Sequence, residues 1–219
     1  MITITLIQKI CVWAIPVLFA ITLHEAAHAW VANRLGDSTA KMLNRLSLNP
    51  IRHIDFIGTL LVPILVAVLS QFQFIFGWAK PVPINWSQLK HPKRDMSLVA
   101  AAGPVSNLLM AIFWSCCLKM ASLFHPETSI VMLFLLLTSQ AGILINLVLA
   151  FLNLIPIPPL DGSRILAGFL PRAAAASFLR IEPFGFFILL GLLLSGLLGS
   201  LLTPLLEWSL ELINTIFKL

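Results

Sequence analysis

His24, Glu25 and His28 stand together in the stretch ITLHEAAHAW, residues 21–30, inside a run that otherwise reads as a membrane-spanning helix. Ionisable groups in hydrocarbon are costly and by default point to function. On an α-helix His24 and His28, four positions apart, lie one turn from each other on the same face. Two imidazoles placed this way reach a single ion, which is how the pattern H-E-x-x-H binds zinc. Glu25 is turned about 100° round the helix, near enough to contact a water on that ion without being a ligand. The predicted chemistry is metal-assisted hydrolysis, in which zinc lowers the pKa of a water towards about 7 and polarises a scissile carbonyl. Glu25 then accepts the proton of the water and passes it to the leaving amine. The competing reading is a pair of histidines satisfied by helix–helix hydrogen bonds; the specificity of the motif in a chain with five His and five Glu weighs against it. His53, His91 and His125 lie in loops beside charges or prolines, and each is expected to be solvated.

A catalytic zinc has as a rule three protein ligands and one open position. The third ligand should be a carboxylate, histidine or cysteine at the same depth, and Asp161 in NLIPIPPLDGSR is the candidate. His28 and His24 sit about 6 to 10 residues before the end of the first helix, roughly 9–15 Å along its axis. An Asp on an irregular segment just after a span could dip to that level, and Pro156, Pro158 and Pro159 unwind the backbone there. The alternative for Asp161-Gly162 is a helix-terminating turn or an N-cap.

The elements that must hold these residues are membrane helices. The chain has 219 residues, 59% of them hydrophobic and only 11% charged, with a mean hydropathy of +0.97. Soluble domains average about 45–50% apolar and about 25% charged residues, so the expected class is an all-α polytopic membrane protein. Five apolar stretches are long enough to cross a bilayer, about 5–33, 56–76, 97–124, 129–156 and 184–206. The final LEWSLELINTIFKL is expected to be an interfacial helix or the end of the fifth span. With no repeat and no low-complexity linker, residues 1–219 read as one membrane-embedded domain, its core about 5–170 and a C-terminal span or hairpin at 184–219. Lys9 before an apolar run raises a signal peptide, but the run is too long and carries the motif, so it is read as retained. Cys11, Cys116 and Cys117 lie in apolar runs without metal or redox spacing and read as packing residues.

The net charge of +5 does not point to nucleic acid, because the cations are clustered. Of the 14 Lys and Arg, eight lie between Arg34 and Arg94, and Arg164, Arg172 and Arg180 form a second group. By the positive-inside rule both groups are cytoplasmic, and the cation-free turn at 124–129 is outside. A full crossing by 56–76 would put the basic 77–95 segment outside. A re-entrant or broken element, bending at Gly58, Pro63 or Gly77, removes the conflict. The alternative is an ordinary span followed by GWAKPVPIN returning as extended chain. Gly191, Ser195 and Gly199 form a small-residue ridge in the fifth span. Packing within the fold is the expected use of that ridge; gating of substrate entry and a homo-oligomer are the others.

HEAAH at 24–28, AAGPVSN at 101–107 and NLIPIPPLDG at 153–162 together resemble the site-2 protease family of intramembrane zinc metallopeptidases. GWAKPVPIN and RDMSLVAAAGPVSN are similar to its small prokaryotic members, and the resemblance runs from about 10 to 170. It implies a transmembrane-helix core, one zinc held by His24, His28 and Asp161, and Glu25 as general base. It also implies cleavage of peptide bonds in or near transmembrane helices of membrane-bound substrates, often regulators released after an earlier cut. The localisation implied is a prokaryotic cell membrane, with the site nearer the cytoplasmic side. Asn153 matches the Asn of the N-x-x-P-x-x-x-L-D-G pattern, where it could bind substrate backbone or stabilise an oxyanion. Asn107 matches the G-P-x-x-N position, with interhelical hydrogen bonding as its alternative role. Gly103 and Pro104 are expected to serve packing and a bend. The family suggests a short extended element before the G-P-x-x-N helix, with AKPVPIN as a candidate for pairing with a substrate strand. No PDZ or nucleotide-sensing domain is evident in the sequence. Two other functions compete: an inactive zinc-binding scaffold, disfavoured by the intact Glu25, and a metal-ion transporter, disfavoured by the apolar outer halves of the spans.

Overall fold

The computed structural model describes residues 5–61, 65, 80–124 and 129–219, and all regular structure among them is helical. Helix α1, Leu6–Arg34, starts at a capping box. The Gln8 N–H donates to Thr5 Oγ1 at 3.3 Å, and the Thr5 N–H donates to Gln8 Oε1 at 2.9 Å. It ends before Gly36, whose φ of +117° suits a residue without a side chain. The one-turn α2, Thr39–Met42, follows, then a 3₁₀ turn at Pro50–Arg52 and a π-helical turn at Phe56–Leu61. Helix α3, Pro92–Leu123, opens with a proline, which loses no helical hydrogen bond in the first turn. Its buried Asp95 accepts the His91 N–H at 2.8 Å, placing a carboxylate at the positive end of the helix dipole. Helix α4, Ile130–Leu154, stops just before Pro156, and the chain then turns into α5, Asp161–Phe169, and α6, Arg172–Leu179. Helices α7, Gly185–Leu194, and α8, Leu197–Phe217, complete the chain.

Helix α3 is central and packs against α1, α4 and α5. Trp114 of α3 lies so close to α4 that a Cβ on Gly142 would sit 2.4 Å from its indole ring. With Ala111, Ile143 and Leu147 it forms a core closed by Ile213 of α8. At the other end of α3, Ala32, Leu89 and Val99 fasten the end of α1 to the chain leading into α3. Arg164 of α5 donates to Glu182 at 2.8 Å and stacks over Trp86 at 4.8 Å, tying three segments together.

Among the described residues, four helical stretches are long and apolar enough to cross a membrane: 7–34, 92–123, 130–154 and 172–194. The chain is an all-α polytopic membrane protein. Three expected spans coincide with α1, α3 and α4, whereas the fifth, 184–206, is interrupted. Gly196 adopts φ +74°, and the N–H groups of Ser195 and Gly196 close on the carbonyls of Gly191 and Leu193, a glycine stop that ends α7. LEWSLELINTIFKL is the second half of α8, with Ser209 and Ile213 turned inward and Glu207 and Glu211 exposed. Most of 56–76, including Pro63, lies outside the described residues, as do Gly77 and His125.

Among the described residues nothing packs against the Gly191, Ser195 and Gly199 ridge: no neighbouring atom lies within 4 Å of a Cβ built on either glycine, and Ser195 is exposed. Cys11 and Cys116 face outward, and only Cys117 is partly covered. His53 is buried rather than solvated, its Nε2 2.8 Å from the Ser47 carbonyl. The loop at 47–53 folds over the ring, and the His53 carbonyl accepts the Lys80 N–H at 3.0 Å. His91 is exposed, as expected.

Candidate metal centre

The His24 and His28 side chains leave α1 one turn apart, both buried, with ring centroids 4.7 Å apart and planes at 86°. Asp161 reaches them from the first turn of α5. Leu160, the residue before that helix, caps nothing with its side chain, and Asp161 turns its own carboxylate to the histidines. Its Oδ2 lies 3.1 Å from His24 Nε2 and 3.2 Å from His28 Nε2, while the two Nε2 atoms are 3.1 Å apart. The turn that delivers Asp161 is pressed onto the end of α4: a Cβ on Gly162 would stand 2.3 Å from the Leu154 carbonyl oxygen.

The outer hydrogen bonds of the histidines decide what this triangle can hold. His28 Nδ1 lies 2.7 Å from the carbonyl of Val99, which can only accept, so Nδ1 carries the proton. His24 Nδ1 lies 2.6 Å from Asn107 Oδ1. That oxygen is an acceptor because the amide nitrogen of Asn107 donates to the Ala20 carbonyl at 3.2 Å and to Asn146 Oδ1 at 2.9 Å. Each neutral imidazole therefore turns the lone pair of Nε2 inward. Three acceptors face one point, and Asp161 Oδ2 is buried without a donor among the described residues. Such a set is unfavourable unless a cation lies between them. Two neutral imidazoles and a carboxylate are ligands that suit zinc, with a fourth position left open, and the His24, His28 and Asp161 donor atoms are close enough to hold one ion.

Gly103 makes room for this arrangement. A Cβ there would lie 2.5 Å from His24 Cε1 and from His28 Nε2, so this glycine of AAGPVSN faces the ligands themselves rather than only a neighbouring helix. Glu25, half-buried on the adjacent face of α1, accepts the Val82 N–H at 2.7 Å through Oε2. Val82 belongs to 80–85, the described part of AKPVPIN. These residues form no strand, and three of their N–H groups are engaged within the fold: Lys80 by the His53 carbonyl, Val82 by Glu25 and Asn85 by Asp37 Oδ2 at 2.7 Å. Pro81 and Pro83 have none to offer. Asn107 is fully buried and both its amide hydrogens are engaged, so no amide donor remains for a substrate oxygen. Asn153 is half-buried and donates to the Leu149 carbonyl at 3.0 Å. Val82, Val99 and Asn146 carry no signal in the sequence that marks them for this site. The first two act through the backbone, which side-chain types do not reveal, and Asn146 is an uncharged polar residue within an apolar span. An apolar groove of about 590 Å³ lies between α1, α3 and the loop at 46–48, lined by Leu23, Ala27, Trp30, Leu48, Leu109 and Phe113.

The chain is similar to known proteins over most of its length. It is 38% identical over 201 residues to "Putative zinc metalloprotease YwhC" of Bacillus subtilis, covering 88% of this chain and 84% of that one. It is 29% identical over 195 residues to "Putative zinc metalloprotease Rip2" of Mycolicibacterium smegmatis, covering 87% and 70%. The protein of the same name from Mycobacterium tuberculosis is 27% identical over 202 residues, covering 89% and 71%. No solved structure matches. The family model described as Peptidase family M50 matches residues 127–195, from the start of α4 through Asp161 to the end of α7. With this match and a relative 38% identical across most of both chains, the protein belongs to Peptidase family M50, the site-2 proteases.

Proposed function

We propose that this protein is an intramembrane zinc endopeptidase that hydrolyses peptide bonds in or near transmembrane helices of membrane-bound substrates. The observation that carries this reading is the convergence of His24 Nε2, His28 Nε2 and Asp161 Oδ2, three buried acceptors with no donor among them, beside a carboxylate on the same helix. The same three residues would hold the ion. When bound, zinc supplies Lewis acidity that favours deprotonation of a water and polarises a carbonyl.

The residues of the chain do the rest. The Val82 N–H fixes Glu25 through Oε2 and leaves Oε1 to take a proton from the attacking water. The water oxygen bonds to the carbonyl carbon, the carbon–nitrogen bond breaks, and Glu25 returns the proton to the leaving amine. Asn153, with one amide hydrogen on Leu149, has a second to offer the substrate backbone or the developing oxyanion. The basic 34–55 and 164–180 segments support a site nearer the cytoplasmic face of the cell membrane. The partners are the bilayer and a transmembrane protein.

Cleavage of a transmembrane peptide in zinc-supplemented liposomes tests the assignment. Glu25→Gln should retain bound zinc and cleave at least about 100-fold more slowly than wild type, the usual scale of a general base. Equal rates would remove Glu25 from the mechanism.

A further inference from the structure

Behind His24 runs a chain of buried amides. The Asn146 amide nitrogen in α4 donates to the Gly142 carbonyl at 2.8 Å. Asn146 Oδ1 accepts from Asn107 of α3 at 2.9 Å, and Asn107 Oδ1 faces His24 Nδ1 of α1 at 2.6 Å. Both asparagines have no exposed surface. Each link has one direction only, because the chain ends on a backbone carbonyl that cannot donate. Were Asn146 turned over, its oxygen would oppose the Gly142 carbonyl. Were Asn107 turned over, its oxygen would oppose the Ala20 carbonyl and Asn146 Oδ1. A turned Asn107 would also present N–H to His24 Nδ1, move the imidazole proton to Nε2 and remove the lone pair that faces Asp161.

We infer that Asn146 is a positioning residue for the metal centre: through Asn107 it fixes which nitrogen of His24 is free to bind zinc. This inference rests on the zinc peptidase reading. It differs from an ordinary helix-packing role, since interhelical amide bonds of that kind need no particular orientation to join α3 and α4. The two histidines are also fixed by different means. His28 is held by the backbone of α3 at Val99, which no substitution of that side chain removes, whereas the tautomer of His24 depends on two side chains in succession. Outer hydrogen-bond partners of metal-binding histidines typically account for 10–100-fold in metal affinity.

The test is zinc affinity of the full-length protein in detergent micelles, measured by competition with a chelator, alongside the visible spectrum of the cobalt-substituted form and the melting temperature. Asn146→Leu should weaken zinc binding about 10–100-fold and change the cobalt spectrum. Asn146→Asp should recover most of the affinity. A carboxyl buried there stays protonated, donates its O–H to the Gly142 carbonyl and accepts from Asn107 with its other oxygen. Leu147→Ala, which removes a buried side chain from the same helix, serves as the packing control and should lower the melting temperature with zinc affinity unchanged. Wild-type affinity in Asn146→Leu, or equal losses in the Leu and Asp variants, would overturn the inference while leaving the peptidase reading intact. Absence of zinc binding by the wild type would overturn both.

Discussion

In the bundle around the metal centre, a Cβ at Gly103, Gly142 or Gly162 would stand 2.5 Å or less from its nearest neighbour, whereas one at Gly191, Gly196 or Gly199 would meet no described atom within 4 Å. Both regions place glycines on apolar helices, and a small-residue pattern describes them equally well. The difference lies in what stands opposite. In the bundle the neighbours are imidazoles at Gly103, an indole at Gly142 and the carbonyls that end α4 at Gly162. These glycines let α1, α3, α4 and α5 approach until the ligands converge. In α7 and α8, Gly185 is pressed against the Pro158 carbonyl, whereas Gly191, Gly196 and Gly199 bring no described residue close, and Gly196 breaks one apolar run into two helices.

Substitution by alanine should therefore separate the two regions. Gly162→Ala is expected to have the largest effect, because its Cβ would meet backbone atoms that cannot rotate away. A loss of about 3 kcal/mol or more, seen as a lower melting temperature, would place it at the upper end of overpacking costs. Gly103→Ala should come next, costing about 1–3 kcal/mol as the imidazoles are displaced. Its more telling effect is on zinc affinity, reduced by about 100-fold in a chelator competition. Gly199→Ala should do least: a Cβ in open space within α8 should stabilise the helix by up to about 1 kcal/mol, with cleavage unchanged. If Gly199→Ala were as harmful as Gly103→Ala, the C-terminal ridge would have to be covered by something other than the described residues, such as a second copy or a substrate helix.

Legibility in the sequence followed distance along the chain. His24, Glu25 and His28 are local, so helical period alone places two rings on one face and the carboxylate beside them. Asp161 was legible through its setting, since the prolines at 156, 158 and 159 end α4 and force a turn at that point. The helical class followed from composition. What escaped was long-range or carried by backbone. Val82 acts through an N–H that any residue except proline supplies, and the burial of His53 depends on a loop closing over it. Asn107 was visible as a polar residue in a span, but its role became legible only with Ala20, His24 and Asn146 around it. The stop at Gly196 was hidden because a glycine in an apolar run can as easily continue a helix as end it.

The central claim is that His24, His28 and Asp161 form one metal centre. Zinc-edge X-ray absorption on the purified wild-type protein, with the metal content of the same sample, tests it most directly. The expected result is one zinc per chain with two imidazole nitrogens at about 2.0–2.1 Å and carboxylate oxygen at about 2.0–2.2 Å. A sulfur shell at about 2.3 Å, or a spectrum without imidazole scattering, would contradict the account.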